Sequence, residues 1–241
     1  MSIHPTVTIE DGASIADGVT IGPFCFIGKD VSISSGSSIE ANVILKGRLD
    51  IKENVKIFSY ATIGNTNSNI VVGKNTHIRE FTQIGTHDEL NRAINIGNEN
   101  FIMAYVQIFD GVSLGDNCVI TNAVRLMSGV VCEERVILGG LSTIEEDVTI
   151  GSGVMVGGAS VVDKDIPPFM LVEGNKATIK GLNAIGLRRR LENKKDIEDI
   201  KSVFKKILGK KADKVLADEI AKANPNELVK RLASFVASAN L

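Results

Sequence analysis

The chain has 241 residues, of which 44% are hydrophobic and 5% aromatic, enough for one large domain or two small ones with a substantial core. Its 27 basic and 29 acidic side chains leave a net charge of -2, so no overall field recruits nucleic acid or anionic lipid. No stretch reaches the roughly 18 apolar residues that a spanning helix needs, and the N-terminus lacks a signal-peptide pattern. We therefore expect a cytoplasmic protein without membrane insertion.

An aliphatic residue returns at every sixth position along the first two thirds of the chain. This series begins Ile3, Ile9, Ile15, Ile21, Ile27, Ile33, Ile39, Leu45, Ile51, Ile57, Ile63, and after short interruptions continues from Val72 to Ile84 and from Ile96 to Val162. A second, smaller inward position lies four residues after each aliphatic, as at Val7 and Val19. A period of six matches neither an amphipathic helix nor an open sheet, but it does match stacked coils. The sequence predicts a mainly β fold, a parallel β-helix of hexapeptide repeats.

Glycine often follows the aliphatic residue, as at Gly97 and Gly115, where we expect a corner that needs backbone freedom. The three cysteines, Cys25, Cys118 and Cys132, lack CxxC spacing and an even count. We interpret them as small buried hydrophobic residues, and we predict no disulfide, metal site or cofactor.

Two polar stretches, residues 65–71 and 85–95, interrupt the repeat, and we predict that both are loops leaving the coil. The repeat ends near Pro167 and Pro168, which oppose further strand pairing. From about Asn183 the apolar period becomes helical, and Asn224-Pro225 predicts the start of the last helix. We therefore divide the chain into a β-helix at 1–175 and a helical domain at 176–241.

Several stretches carry a resemblance to a known family: IGPFCFIG at 21–28, IREF at 78–81, FIMAY at 101–105 and above all residues 155–190. They resemble the acyl-carrier-protein-dependent UDP-N-acetylglucosamine acyltransferases, which begin lipid A synthesis. The resemblance implies a left-handed coil, a homotrimer with active sites between neighbouring coils, and transfer of a 3-hydroxyacyl chain to the 3-position of the sugar.

The residues that the family uses for catalysis are the ones that differ here. The family's motif is similar to MINAHIAHDC, and the matching stretch of this chain is MAYVQIFDGV at 103–112. Family members have four active-site histidines, and the resemblance matches them to Gln107, Asp110, Gly129 and Glu145 of this chain. Asp110 stands at the position of the family's general base. A carboxylate is a weaker base than imidazole near pH 7, so Asp110 would need burial or a like-charged neighbour, such as Glu145 or Glu146, to act as one.

The resemblance also implies a ligand site. It matches the family's contacts to the nucleotide and diphosphate to Asn183, Arg189 and Arg190, and the position that limits acyl length to Gly158. Lys176 replaces a histidine in the same region. A solvated helix face remains the alternative explanation for Arg188, Arg189 and Arg190.

Three histidines occur in the whole chain: His4, His77 and His87. His87 lies in the second polar stretch, where it either reaches a cleft between chains or is simply exposed. Lysines between 194 and 211 form either a patch for acyl carrier protein or one solvated helix face.

Two functions remain open. The first is a family member that binds a UDP-sugar, acyl carrier protein or both but lacks ordinary acyl transfer. The second is a divergent acyltransferase that acts on a UDP-amino sugar with Asp110 as base. A homotrimer is expected in either case, and a mixed trimer with an active sibling chain is a further alternative.

Overall fold

The computed structural model describes residues 2–86, 92–209 and 212–241. Short strands follow one another along the chain, and four helices follow the strands. The strands are β1 Ser2–Ile3, β2 Thr8–Ile9, β3 Ser14–Ile15, β4 Thr20–Ile21, β5 Phe26–Ile27, β6 Val31–Ile33, β7 Ser38–Ile39, β8 Ile44–Leu45, β9 Arg48–Ile51, β10 Lys56–Ile57, β11 Thr62–Ile63, β12 Asn69–Val72, β13 His77–Ile78, β14 Gln83–Ile84, β15 Ile94–Ile96, β16 Phe101–Ile102, β17 Gln107–Ile108, β18 Ser113–Leu114, β19 Val119–Ile120, β20 Arg125–Leu126, β21 Val131–Cys132, β22 Ile137–Leu138, β23 Thr143–Ile144, β24 Thr149–Ile150, β25 Met155–Val156, β26 Val161–Val162, β27 Met170–Glu173 and β28 Thr178–Leu182. The helices are α1 Ala184–Arg190, α2 Lys194–Leu208, α3 Lys214–Ala223 and α4 Glu227–Ser238.

From β1 to β26, every third strand joins the same sheet, so this part of the chain winds through three parallel sheets. Sheet 1 begins β1-β4-β7 and ends β25-β27-β28, sheet 2 runs from β2 to β26, and sheet 3 runs from β3 to β24. Ile3 pairs with Ile21 and Ile21 with Ile39, so a regular coil has 18 residues. The predicted fold class, a parallel β-helix with a helical C-terminal part, is confirmed.

The aliphatic residues of the six-residue period fill the interior of the coil. Ile57, Ile102 and Ile120 are fully buried, and the second inward position is buried as well at Val19. All three cysteines are buried and unpaired, as predicted. Burial raises the pKa of the Cys118 thiol to about 12 and also raises the pKa of Cys132.

Most glycines that follow an aliphatic residue allow close approach between coils. A Cβ at Gly115 would lie 2.7 Å from the carbonyl carbon of Glu133 in the next coil, and Gly97 faces Gly115 in the same way. Gly64 has a positive φ, but Gly97 and Gly115 do not. The predicted need for backbone freedom is therefore wrong at these two positions, where spacing between stacked strands excludes a side chain.

Both predicted loops are shorter than the sequence indicated. Residues 65–68 form the first turn, but Ile70 lies in β12 and is buried. The second interruption ends before Ile94, which is buried in β15, and residues 87–91, including His87, lie outside the described part of the chain. Both strands belong to sheet 3. Alternate aliphatic residues in each strand point into the core.

The C-terminal part begins where sheet 1 ends. β27 pairs with β25, and β28 returns antiparallel to β27, so sheet pairing continues to Leu182. Asn183 caps α1, at the position where the sequence predicted the change of period. Asn226 caps α4, two residues beyond the predicted start. The boundary at 175/176 remains a prediction. Within the described ranges, no helix has both the length and the apolar character required to cross a membrane.

Candidate functional site

The position that the resemblance assigns to the base lies at the corner between sheets 2 and 3, which we call corner 2–3. It comprises Asp110-Gly111, Ser128-Gly129 and Glu146-Asp147, stacked in successive coils. The Gly129 amide donates to the Asp110 carbonyl at 2.9 Å, and the Asp147 amide donates to the Ser128 carbonyl at 3.0 Å. Asp110, Ser128 and Glu146 therefore occupy equivalent places in three consecutive coils.

Burial differs sharply among these three equivalent residues. Asp110 is only 7% exposed, whereas Ser128 is half-buried and Glu146 is exposed. At the first of the three coils, neighbouring groups therefore cover a carboxylate at a place that is more exposed in the next two coils.

Arg92, which sequence analysis did not single out, lies across this corner. Its carbonyl accepts from the Gly111 amide at 3.2 Å, so its backbone joins the corner one coil before Asp110. Its guanidinium nitrogen Nη1 donates to Asp147 Oδ1 at 3.1 Å. The side chain thus runs along the corner from the coil before Asp110 to the coil two after it.

Two glycines make room for this side chain. A Cβ at Gly111 would lie 3.0 Å from Arg92 Cβ and 3.1 Å from Arg92 Nε. A Cβ at Gly129 would lie 2.8 Å from Arg92 Nη1 and would overlap Asp147 Oδ1. Both glycines have φ of 76°, a conformation that disfavours any other residue. No histidine fits at position 129 unless the Arg92–Asp147 pair moves.

Three of the predicted site residues lie on or beside sheet 2. The amide of Gln107 faces Gln83, with Nε2 3.4 Å from Oε1. Glu145 follows β23 and is half-buried. Lys176 pairs with Asp163 at 2.7 Å, and this hydrogen bond raises the lysine's pKa, with a smaller contribution in the same direction from Glu145. These side chains form a polar face that continues into corner 2–3.

Gly158 lies on another edge, the corner between sheets 1 and 2, which we call corner 1–2. A Cβ there would lie 3.3 Å from the Gly140 carbonyl oxygen. A side chain would therefore need only a small adjustment of the preceding coil.

The residues that the resemblance assigns to the nucleotide lie at the corner between sheets 3 and 1, which we call corner 3–1. The amide of Asn183 is used within its own chain, because Oδ1 accepts from the Gly186 amide at 2.9 Å and Nδ2 donates to the Gly153 carbonyl at 3.0 Å. Arg190 Nη2 donates to the Arg135 carbonyl at 2.9 Å. Arg189 is exposed.

Arg190 is therefore partly a packing residue. It lies in a small cavity of about 70 Å³ between the coil and the helices, together with Arg135, Arg231 and Glu134. Burial lowers the pKa of Arg190, and the charge of Arg135 adds to this effect. Arg231 of α4 pairs with Glu134, which fixes the last helix to the same corner.

The two histidines in the described ranges have structural surroundings. His4 Nδ1 contacts Thr6 Oγ1 at 2.9 Å. His77 packs between the rings of Phe58 and Phe101, and burial lowers its pKa, with further lowering from Lys56 and Arg79. The same ranges contain no group of three or more potential metal ligands from His, Cys, Asp and Glu.

One chain does not bring all the predicted site residues together. Gln107, Asp110, Glu145, Glu146 and Lys176 lie on sheet 2 and corner 2–3. Asn183, Arg189 and Arg190 belong to α1 and its cap, which lie at corner 3–1, on the far side of sheet 3.

The stacked hexapeptide coils and the helical extension define a β-helical protein of the hexapeptide-repeat class. The family profile described as "Udp N-acetylglucosamine O-acyltransferase; Domain 2" matches residues 165–240. The chain is 40% identical over 247 residues to the acyl-[acyl-carrier-protein]–UDP-N-acetylglucosamine O-acyltransferase of Aliarcobacter butzleri, covering 98% of this chain and 95% of that protein. It is 36% identical over 246 residues to the protein of the same name from a Sulfurovum species, covering 98% of this chain and 94% of that protein.

Solved structures agree over almost the full length. LpxA from Acinetobacter baumannii superposes with a TM-score of 0.91 at 30% identity, covering 99% of this chain and 97% of that one. The UDP-N-acetylglucosamine acyltransferase from Campylobacter jejuni superposes with a TM-score of 0.83 at 33% identity, with the same coverage. The chain belongs to the acyl-carrier-protein–UDP-N-acetylglucosamine O-acyltransferase family.

Alanine at Gly129 tests the packing of corner 2–3. Gly18 has a similar φ of 80°, but the nearest atom to a Cβ there is 3.8 Å away, so Gly18→Ala measures backbone strain alone. We expect Gly129→Ala to lower the free energy of unfolding by up to about 1 kcal/mol more than Gly18→Ala, because it must also break the exposed Arg92–Asp147 pair. Asp147→Ala in the Gly129→Ala background should recover part of this excess. Urea titrations of the wild type and the three variants measure these free energies of unfolding. Equal decreases for the two single glycine variants would show that the corner is not packed as described.

Proposed function

We propose that this chain is a cytoplasmic, trimeric member of the family that binds a UDP-amino sugar and acyl carrier protein but does not carry out ordinary base-catalysed acyl transfer. The observation that carries the proposal is corner 2–3, where a buried carboxylate lies at the position that the resemblance assigns to a general base, and an arginine–aspartate pair lies against Gly129 in the next coil. The polar face of sheet 2 and the exposed Arg189 support a ligand site beside it.

The chemistry of this corner opposes proton abstraction from a hydroxyl. Asp110 offers a carboxylate where the resemblance places an imidazole, and a carboxylate is the weaker base near pH 7. Gln107 has no basic nitrogen, and Gly129 has no side chain to take part in proton transfer. The remaining carboxylate in the set, Glu145, lies near the positive charge of Lys176.

Binding makes fewer demands than catalysis. Arg189 is exposed on α1 beside Arg188, and a planar, permanently charged guanidinium suits a diphosphate. The relatives in Aliarcobacter and Sulfurovum are named for an acyl carrier protein and for UDP-N-acetylglucosamine. Similarity over nearly the whole chain supports the same classes of ligand here.

The division of the site between two edges supports a trimer. Because sheet 3 separates corner 2–3 from corner 3–1, a combined site requires residues from neighbouring chains. Corner 1–2 offers a contact surface for assembly, because Tyr60, Phe81 and Tyr105 stack there with ring centroids 5.1 Å and 5.0 Å apart. These rings are 53%, 44% and 59% exposed. Aromatic residues are enriched at protein interfaces.

The alternative is a divergent acyltransferase in which Asp110 is the base, and its burial favours this function. Removal from water raises the pKa of a carboxyl group and so strengthens the carboxylate as a base. A mixed trimer with an active sibling chain is a second alternative, and it uses the same aromatic surface.

Calorimetry tests retained binding. We expect UDP-N-acetylglucosamine to bind the wild-type protein and Arg189→Ala to weaken binding by about tenfold, the effect of losing one charge-assisted hydrogen bond. Arg188→Ala, on the adjacent exposed position, is the matched control. Arg190→Ala is less informative, because it also removes the contact with the Arg135 carbonyl. Absence of binding heat for the wild-type protein would contradict the proposal.

The mass of the protein in solution tests the trimer. We expect light scattering to report three chains for the wild type and a single chain for Phe81→Glu, because a charge inside the aromatic stack would be desolvated on assembly. Val215→Glu, on an exposed apolar residue of α3, is the control and should remain trimeric. A wild-type monomer at micromolar concentration would refute the trimer, and a trimeric Phe81→Glu would exclude this surface as the contact.

A further inference from the structure

The cover over corner 2–3 has two anchors of different strength. At one end, the Arg92 backbone is part of the coil, through the hydrogen bond from the Gly111 amide to its carbonyl. At the other end, a single nitrogen, Nη1, contacts a single oxygen, Asp147 Oδ1. The backbone anchor is fixed by strand stacking, whereas the side-chain anchor depends on one exposed ion pair.

That ion pair is weak. The Arg92 and Asp147 side chains are 43% and 71% exposed. Ion pairs with this much solvent contact contribute about 0–1 kcal/mol, and salt weakens them further. Rotation of the Arg92 side chain away from the corner is therefore inexpensive, because it breaks one such pair and leaves the coil unchanged.

The cover also has a specific consequence for Asp110. At the equivalent places in the next two coils, Ser128 is half-buried and Glu146 is exposed, while Asp110 is buried. Only Asp110 lies in the coil where the stem of Arg92 crosses Gly111. The difference in burial along one repeating column thus coincides with the Arg92 side chain.

We propose that Arg92 and Asp147 form a latch over corner 2–3, and that opening this latch controls access to Asp110. The closed latch places the Arg92 stem across Gly111 and its guanidinium across Gly129. The open latch exposes a corner in which Asp110 lies two coils from Glu146 and Asp147, so its chemistry suits an amine or another cationic group rather than an anion. This latch exists whether or not the protein binds a UDP-sugar.

Cysteine labelling measures the latch directly. The native Cys25, Cys118 and Cys132 are buried, and burial raises the pKa of each thiol, so they give a low background in the folded protein. Asp110→Cys reports access to the latched coil, and Glu146→Cys reports the equivalent place two coils later. The full-length folded variants are treated with a neutral methanethiosulfonate, and the rate of modification is followed by mass spectrometry.

We expect Asp110→Cys to react more slowly than Glu146→Cys, and Arg92→Ala to accelerate modification at position 110 by about fivefold or more, the factor for losing an exposed ion pair and its stem. Asp147→Asn and added salt should accelerate it in the same direction. Arg92→Ala should leave the rate at Glu146→Cys unchanged. Equal rates at the two positions with Arg92 present, or no acceleration by Arg92→Ala, would overturn the latch.

Two further measurements complete the test. In the Arg92→Ala background, a trimethylammonium reagent should modify Asp110→Cys faster than a sulfonate reagent of similar size, and the reverse order would contradict the acidic character of the open corner. Ser128→Cys keeps the test available if Asp110→Cys fails to fold. Because the Arg92 guanidinium lies across Gly129 in that coil, Arg92→Ala should also accelerate modification at position 128, and an unchanged rate there would contradict the latch.

Discussion

The structure depends on one constraint: every sixth side chain must point into a narrow interior shared by all coils. That interior accepts aliphatic residues at the six-residue period and small side chains, such as Cys118, Thr82 and Ser142, at the second inward position. It leaves no space for a ligand. Reactive and binding groups are therefore confined to the outward positions of the sheets and to the corners, where residues from successive coils form columns. A functional change in such a protein must alter a column while leaving the interior period intact, and this is the change that we propose for corner 2–3.

The altered column is internally consistent. Gly111 and Gly129 leave a groove, Arg92 fills it, and Asp147 accepts a hydrogen bond from its guanidinium. Replacement of a single imidazole would leave a gap or an unpaired polar group, whereas this set of residues closes the corner with a charge pair. A histidine at position 129 would now conflict with two neighbours rather than enter an empty place. The change therefore involves the surroundings of the site as well as the base itself.

Much of the fold could be predicted from the sequence, because the inward period is local and repeats many times. The buried cysteines and the start of α1 at its Asn183 cap follow from the same kind of local pattern. The interruptions were harder, since the polar residues around Ile70 and Ile94 conceal strands that are fixed by pairing with neighbouring coils. The ends of these strands depend on pairing with neighbouring coils rather than on local composition.

The site was less predictable for the same physical reason. Arg92 and Asp147 are 55 residues apart, and only the stacking of coils across a polar insertion brings them together. The sequence marked Arg190 as a phosphate ligand by resemblance, but not its hydrogen bond to the Arg135 carbonyl, which depends on how α1 packs on the coil. The sequence shows the residue types. Which residues contact one another depends on the register in which the coils stack.

We propose that a site beside corner 2–3 binds a UDP-sugar and acyl carrier protein without ordinary acyl transfer. The most direct test of this proposal is a product assay with UDP-N-acetylglucosamine, or its 3-amino analogue, and a 3-hydroxyacyl thioester of acyl carrier protein. The Aliarcobacter butzleri relative serves as the positive control. We expect this chain to form no acylated sugar above the uncatalysed background, under conditions in which the relative forms product. Product formed at a rate comparable to that of the relative, and lost in Asp110→Asn, would contradict the proposal.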